Sequence, residues 1–200
     1  PRTIIGDGLV ESLPNGNLRE VWSSWDQYTP SLDVTMTQGV YTADPEAEDW
    51  THANGLTYVP EDDSYLVSVD AWDSILKIDR STGDELWHLS GATGGDFSEG
   101  ELGLISNAHS VRPTEDGSLL IFNRNDYTSG ECAEVLEVSL DEEGQSAQVD
   151  WRYGAENCQV VTYLGNAIPI EDGERLVVFS TSGRIDRVSA EGEPIWQLQS

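Results

Sequence analysis

Positive charge is scarce in this chain. Among 200 residues Lys and Arg number 10, of which only Lys77 is a lysine, against 37 Asp and Glu. The formal net charge of −27 repels polyanions, so nucleic acid and anionic membranes are poor partners. Long apolar runs are missing as well: no stretch approaches the roughly 18 residues that a membrane-spanning helix needs. No Gly-x-Ser-x-Gly, phosphate-binding loop or dinucleotide fingerprint occurs. No 3.6-residue apolar stripe runs beyond two turns, which argues against a helical protein. With 37 acids, carboxylate pairs suggestive of glycoside cleavage arise by number alone and carry no information. Neither an initiator Met nor a signal peptide is present, so Pro1 reads as the start of a processed or trimmed chain.

The acidity reads first as solubility in a salty or cation-rich medium, where counterions screen self-repulsion. A sharper reading is calcium binding at Asp44-Pro-Glu-Ala-Glu-Asp49, but that stretch lacks the Asp/Asn alternation and glycine of a calcium loop. No metal site and no cofactor are therefore expected. Cysteine is nearly absent too. Cys132 and Cys158 lie 26 residues apart, with no Cys-x-x-Cys spacing or adjacent His to suggest a metal. They read as a disulfide formed in an oxidising compartment, the alternative being two buried thiols in a cytosolic protein.

What is present is a repeat. Residues 49–91 give short apolar runs at Tyr58-Val59, Tyr65–Val69 and Ile75–Ile78, then a Ser-Thr-Gly-Asp turn and a closing strand, Glu85–Leu89, with Trp87. Four short strands joined by tight polar turns in about 40 residues mark one β-propeller blade. A second unit spans 105–154, with strands at Asn107–Val111, Ser118–Phe122, Ala133–Leu140 and Gln148–Tyr153. A third spans 163–200, with strands at Gly165–Ile170, Arg175–Ser180, Arg184–Val188 and Pro194–Leu198. Residues 1–48 give a partial blade, the hairpin Gly8–Leu13 and Leu18–Trp22 about a Pro-Asn-Gly-Asn turn, and a long connector with short strands at Val34–Met36 and Val40-Tyr41. Closing-strand tryptophans fall at 22, 87, 151 and 196, once per unit, and read as core anchors. The expected fold is all-β, a single propeller domain or fragment over 1–200, with three and a half to four blades of a larger ring. Seven Trp and seven Tyr supply a packed core.

Two of the three histidines sit where units begin. Asp49-Trp-Thr-His-Ala-Asn54, then Pro60-Glu-Asp-Asp-Ser-Tyr-Leu-Val-Ser68 and Leu76-Lys-Ile-Asp-Arg80, resemble the bacterial arylsulfate sulfotransferases. Leu13-Pro-Asn-Gly-Asn17 matches a turn that this family repeats. The resemblance implies a six-bladed propeller at the periplasm, cell surface or outside the cell. It also implies transfer of a sulfuryl group between phenols without a nucleotide cofactor. Carried over by position, His52, His109 and Arg124 become the catalytic channel residues, with Asn54, Asn107 and Asn166 as channel donors or turn residues. The chemistry is coherent: Arg presents a planar fork to sulfate oxygens, and imidazole accepts a proton or the sulfuryl group itself. Arg124 has a plainer alternative, a pairing with Asp126 or another carboxylate, and His88 reads as structural. The expected partners are a small phenolic sulfate and, as an assembly, further copies of the chain.

The sequence departs from the family in two places. The blade that would supply a later, sulfuryl-accepting histidine opens Tyr163-Leu-Gly-Asn-Ala167, and no histidine follows His109. The family's serine-serine-arginine after the second strand is Ser68-Val-Asp70 here. A non-catalytic propeller that binds a ligand or partner at the cell surface is the rival expectation.

Overall fold

The computed structural model describes residues 3–30, 37–38, 46–98 and 105–200. It opens with β1 (Ile4–Ile5), the hairpin β2 (Gly8–Ser12) and β3 (Leu18–Ser23), the single-turn helix α1 (Ser24–Gln27), and the short strands β4 (Thr37–Gln38) and β5 (Glu48–Asp49). β1, β5 and β4 pair with one another in that order. The strands expected at Val34–Met36 and Val40-Tyr41 lie outside the described residues.

Three larger sheets follow. The first is β6 (Ala53–Val59), β7 (Ser64–Val69), β8 (Ser74–Asp79) and β9 (Glu85–Ser90), extended by β10 (Gly94–Gly95). The second is β11 (Ala108–Pro113), β12 (Leu119–Asn123), β13 (Glu134–Asp141) and β14 (Ser146–Gly154). The third is β15 (Asn166–Pro169), β16 (Arg175–Phe179), β17 (Arg184–Val188) and β18 (Pro194–Gln199). Each is an antiparallel meander in which neighbours in sequence are neighbours in space. The turns are those the residues dictate. In the Arg80-Ser-Thr-Gly83 turn, for example, Gly83 holds φ +79 with its α-carbon so close to the Val21 carbonyl that a Cβ would sit 1.9 Å from that oxygen.

The first strands of the three sheets lie side by side, β6 against β11 and β11 against β15. Thr57 Oγ1 donates to the Val111 carbonyl at 2.7 Å, and the Ala167 amide donates to Ser110 Oγ at 3.3 Å. Successive sheets therefore fan from a common inner edge, as propeller blades do; the central strands of the first and second bury both faces, while the third buries one. Trp22 packs with Val67, Val69, Leu76 and Ile78 between the hairpin and the first sheet. Trp87 packs with Leu66, Val111, Leu119 and Val138 between the first and second. Trp151 lies against Val135, Tyr153, Ala167 and Val177 between the second and third. Trp196 departs from the expected anchor role: it is 43% exposed on a strand, β18, whose residues are all exposed. Among the described residues no further sheet stacks there.

Cys132 and Cys158 are joined in a disulfide that closes the loop carrying β13 and β14. No helix of the described chain is long and apolar enough to cross a membrane.

Candidate active site at the inner edge of the sheets

One construction recurs where each sheet begins. A residue with left-handed backbone precedes the first strand: His52 at φ +49, Asn107 at φ +50 and Leu164 at φ +62. In the first two sheets its carbonyl accepts the amide of the residue just after the second strand, Asp70 to His52 at 3.2 Å and Arg124 to Asn107 at 3.4 Å. Two residues further on, the pairing of the first and second strands slips, at Asn54 in the first sheet and His109 in the second. A bulge of this kind re-aims a side chain. His52 and His109 thus occupy different positions of the repeat: His52 corresponds to Asn107, and His109 to Asn54. Asp70 corresponds to Arg124.

These offsets bring His52, His109, Asp70 and Arg124 within one another's electrostatic reach. The Asp49 carboxylate holds His52 twice, accepting its backbone amide at 2.9 Å and contacting Nδ1 at 2.7 Å. The hydrogen bond that His52 donates to Asp49 raises the His52 pKa above the ordinary histidine value, against a burial effect that lowers it. Burial alone would raise Asp49, but the His52 side-chain and backbone bonds outweigh it and leave Asp49 lowered. His109 is pushed the other way, down, first by burial and then by the Arg124 charge. Its Nδ1 lies 3.1 Å from the Gly165 carbonyl, which can only accept, so Nδ1 carries the proton and Nε2 the lone pair. One imidazole is therefore biased towards the protonated form and its neighbour towards the neutral form, a division that separates acid and base roles.

Arg124 is only 4% exposed, and its donors are largely committed. Nη2 bonds Asp70 Oδ1 at 2.6 Å, Nη1 the Thr162 carbonyl at 2.9 Å and Nε the Asn107 carbonyl at 3.2 Å. The carboxylate it pairs with is Asp70 of the preceding sheet, not Asp126, whose own oxygen is taken up by Thr128 and Ser129. Asn54 Oδ1 accepts from Ser68 Oγ at 2.8 Å, while its Nδ2 is buried with no partner among the described residues. Asn107 serves through its carbonyl, its side chain donating to Ser106 Oγ at 3.1 Å. Asn166 faces Arg112, at 3.5 Å. His88 binds Ser74 Oγ at 2.9 Å within the first sheet, away from this group.

Asp49 and Asp70 were not singled out by the sequence reading. Their signals were nonetheless there: Asp49 opens the turn that carries His52, and Asp70 stands where the related pattern has arginine. Of the acidic stretch considered for calcium, Asp44 and Pro45 lie outside the described residues, and the Asp49 carboxylate is bound to His52.

The fold with its inner-edge histidines defines the chain as a β-propeller. Solved structures agree. A β-propeller domain of Cps50 (Swd1) from Myceliophteria thermophila matches with a TM-score of 0.55 at 12% identity, covering 98% of this chain and 55% of that one. A catalytically inactive virginiamycin B lyase from Staphylococcus aureus, bound to quinupristin, matches at 0.54 and 11% identity, covering 96% and 48%. The chain spans about half the length of these structures. Among curated proteins none matches. The family profile Arylsulfotransferase (ASST) matches residues 2–195, and the chain belongs to that family.

Proposed function

We propose that this chain supplies the sulfuryl-transfer centre of an arylsulfotransferase that moves a sulfuryl group from an aryl sulfate to a phenol. The observation that carries the reading is the opposed bias of two neighbouring imidazoles, His52 towards the protonated form and His109 towards the neutral one. The His109 Nε2 lone pair attacks sulfur as the bond from sulfur to the aryl oxygen breaks, and His52 Nε2–H protonates the departing phenolate. The acceptor phenol then attacks the sulfuryl group on His109, the sulfur–nitrogen bond breaks, and the phenol proton returns to His52. The buried Asn54 Nδ2 is a donor available to a sulfate oxygen. Arg124, held by three bonds, acts as a positioning residue that fixes Asp70 and the Asn107 and Thr162 carbonyls. The route needs no nucleotide cofactor or metal. An extracytoplasmic location fits the disulfide.

One observation favours a second reading, a non-catalytic binding propeller. Asp70 neutralises Arg124, so the guanidinium fork is not free to clamp sulfate. A chromogenic aryl sulfate with a phenol acceptor separates the two. Turnover that falls at least a hundredfold in His109→Ala, with the fold intact, supports transfer; release of the chromophore at equal rates by both proteins sinks it.

A further inference from the structure

The segment that enters the third sheet departs from the other two in chemistry. Ala53 and Ala108 pair with the last residues of their second strands, Val69 and Asn123. In the third sheet Asn166 pairs with Val178, so the same place, opposite Phe179, falls to Gly165. Leu164 therefore stands where the first two sheets have His52 and Asn107, and Tyr163 where they have Thr51 and Ser106. An aliphatic chain replaces a polar one, and an aromatic ring replaces a small hydroxyl.

Both side chains are open to solvent, Tyr163 at 64% and Leu164 at 60% exposure, yet the backbone that carries them is pinned. The Thr162 amide donates to Thr181 Oγ1 at 3.0 Å, and its carbonyl accepts from Arg124 Nη1 at 2.9 Å. The Tyr163 carbonyl accepts from Ser180 Oγ, and the Gly165 carbonyl lies 3.1 Å from His109 Nδ1. Leu164 holds φ +62. Histidine and asparagine enter that left-handed region readily; leucine does so at a cost, which exposure leaves without burial to offset it. A strained residue fixed by its surroundings beside reactive groups points to contact with a ligand. β11, which carries His109, lies between β6 and β15. His109 is thus flanked by His52 on the side of the first sheet and by Leu164 on the side of the third. One flank is polar and the other apolar, as are the two ends of an aryl sulfate.

We propose that Tyr163 and Leu164 form the platform that receives the aromatic ring of the substrate while its sulfate meets His109. The assignment rests on the sulfuryl-transfer reading of this site and adds the residues that select aryl over alkyl esters. The ring lies against the Leu164 side chain and the Tyr163 ring, contacts that a small alkyl sulfate lacks.

The probe is benzenesulfonate, whose carbon–sulfur bond is not cleaved by transfer, titrated into the full chain and followed by NMR at Tyr163, Leu164 and His109. Saturable binding that shifts all three is expected, with methanesulfonate about tenfold weaker or worse. Leu164→Asn suits the left-handed backbone and removes the apolar chain; Tyr163→Ser restores the small hydroxyl of the other sheets. Each should weaken benzenesulfonate about fivefold or more and leave methanesulfonate unchanged. Absence of benzenesulfonate binding, equal affinity for the two sulfonates, or unchanged affinity in both folded variants overturns the proposal. Should Leu164→Asn fail to fold, Leu164→Gly, free of the backbone strain, takes its place with the same expected loss. Binding and turnover separate the two readings. Benzenesulfonate held through Tyr163 and Leu164 by a chain that transfers no sulfuryl group supports the platform and sinks transfer. Turnover of an aryl sulfate with KM unchanged in both variants supports transfer and overturns the platform.

Discussion

Replacing Arg124 with methionine keeps the aliphatic stem and removes the charge. Asp70, 8% exposed, then loses its ion-pair partner, and the Asn107 and Thr162 carbonyls each lose a donor. Removing one member of a buried pair costs about 3–5 kcal/mol, because the remaining charge stays desolvated. Some water entry from the inner edge relieves the carbonyls, so the lower half of that range is expected. With a urea dependence of about 2–3 kcal/mol per molar, the unfolding midpoint should fall by roughly 1–2 M. Asp70→Asn should cost a similar amount. The double variant should cost less than the sum of the two, with a coupling of about 2 kcal/mol. The assay is equilibrium urea denaturation of the four proteins, monitored by circular dichroism and tryptophan fluorescence. A cost below about 1 kcal/mol for Arg124→Met, or strict additivity, would falsify the picture of a desolvated pair.

The histidines should titrate apart in an NMR pH series, His52 above the usual value of 6.5 and His109 below it, and the reverse order refutes the acid and base assignment. The signs differ in stability. The His52–Asp49 contact contributes fully below the ordinary histidine pKa and is lost as pH rises through the raised value, whereas burial of neutral His109 favours folding at higher pH and that contribution is lost as pH falls through the lowered value. The slope of stability against pH should therefore change in opposite directions in His52→Ala and His109→Ala. Reduction of the Cys132–Cys158 bridge, which spans a sequence separation of 26, should cost about 3.5 kcal/mol on the chain-entropy account; an unchanged melting temperature in reductant counts against it. Gly165→Ala should destabilise by about 2 kcal/mol or more, since φ is +107 and a Cβ would meet the Phe122 ring at 2.1 Å. It should also shift the His109 titration, because the displaced carbonyl holds Nδ1.

The strands were legible because they obey a local rule: short apolar runs punctuated by Glu-Asp-Gly, Ser-Thr-Gly-Asp or Pro-Asn-Gly-Asn turns. Trp22 and Trp87 marked blade junctions correctly for the same reason, but the exposure of Trp196 depends on what stacks beyond it, which no local pattern encodes. The site was harder to read. His52 and His109 look equivalent in a linear reading, and only the strand register reveals the two-residue offset between them. The pairing of Arg124 with Asp70 joins residues 54 apart, and its nearer candidate, Asp126, was the natural guess. Nothing in the sequence of β17 marks the fully buried Asp186, which accepts from Tyr153 at 2.7 Å and Arg184 at 2.9 Å inside the core. Charges placed inside by tertiary partners leave no hydrophobic signature.

Arg124 belongs to the second sheet, Asp70 to the first, and Thr162 to the segment entering the third, where its amide meets Thr181 Oγ1. One guanidinium thus rivets three consecutive units at a single point. Peeling any of them outward must first free the other two, so that end of the molecule yields as a whole or stays shut. Amide protons at Asp70, Arg124 and Thr162 should accordingly exchange with solvent in step, as members of one opening event.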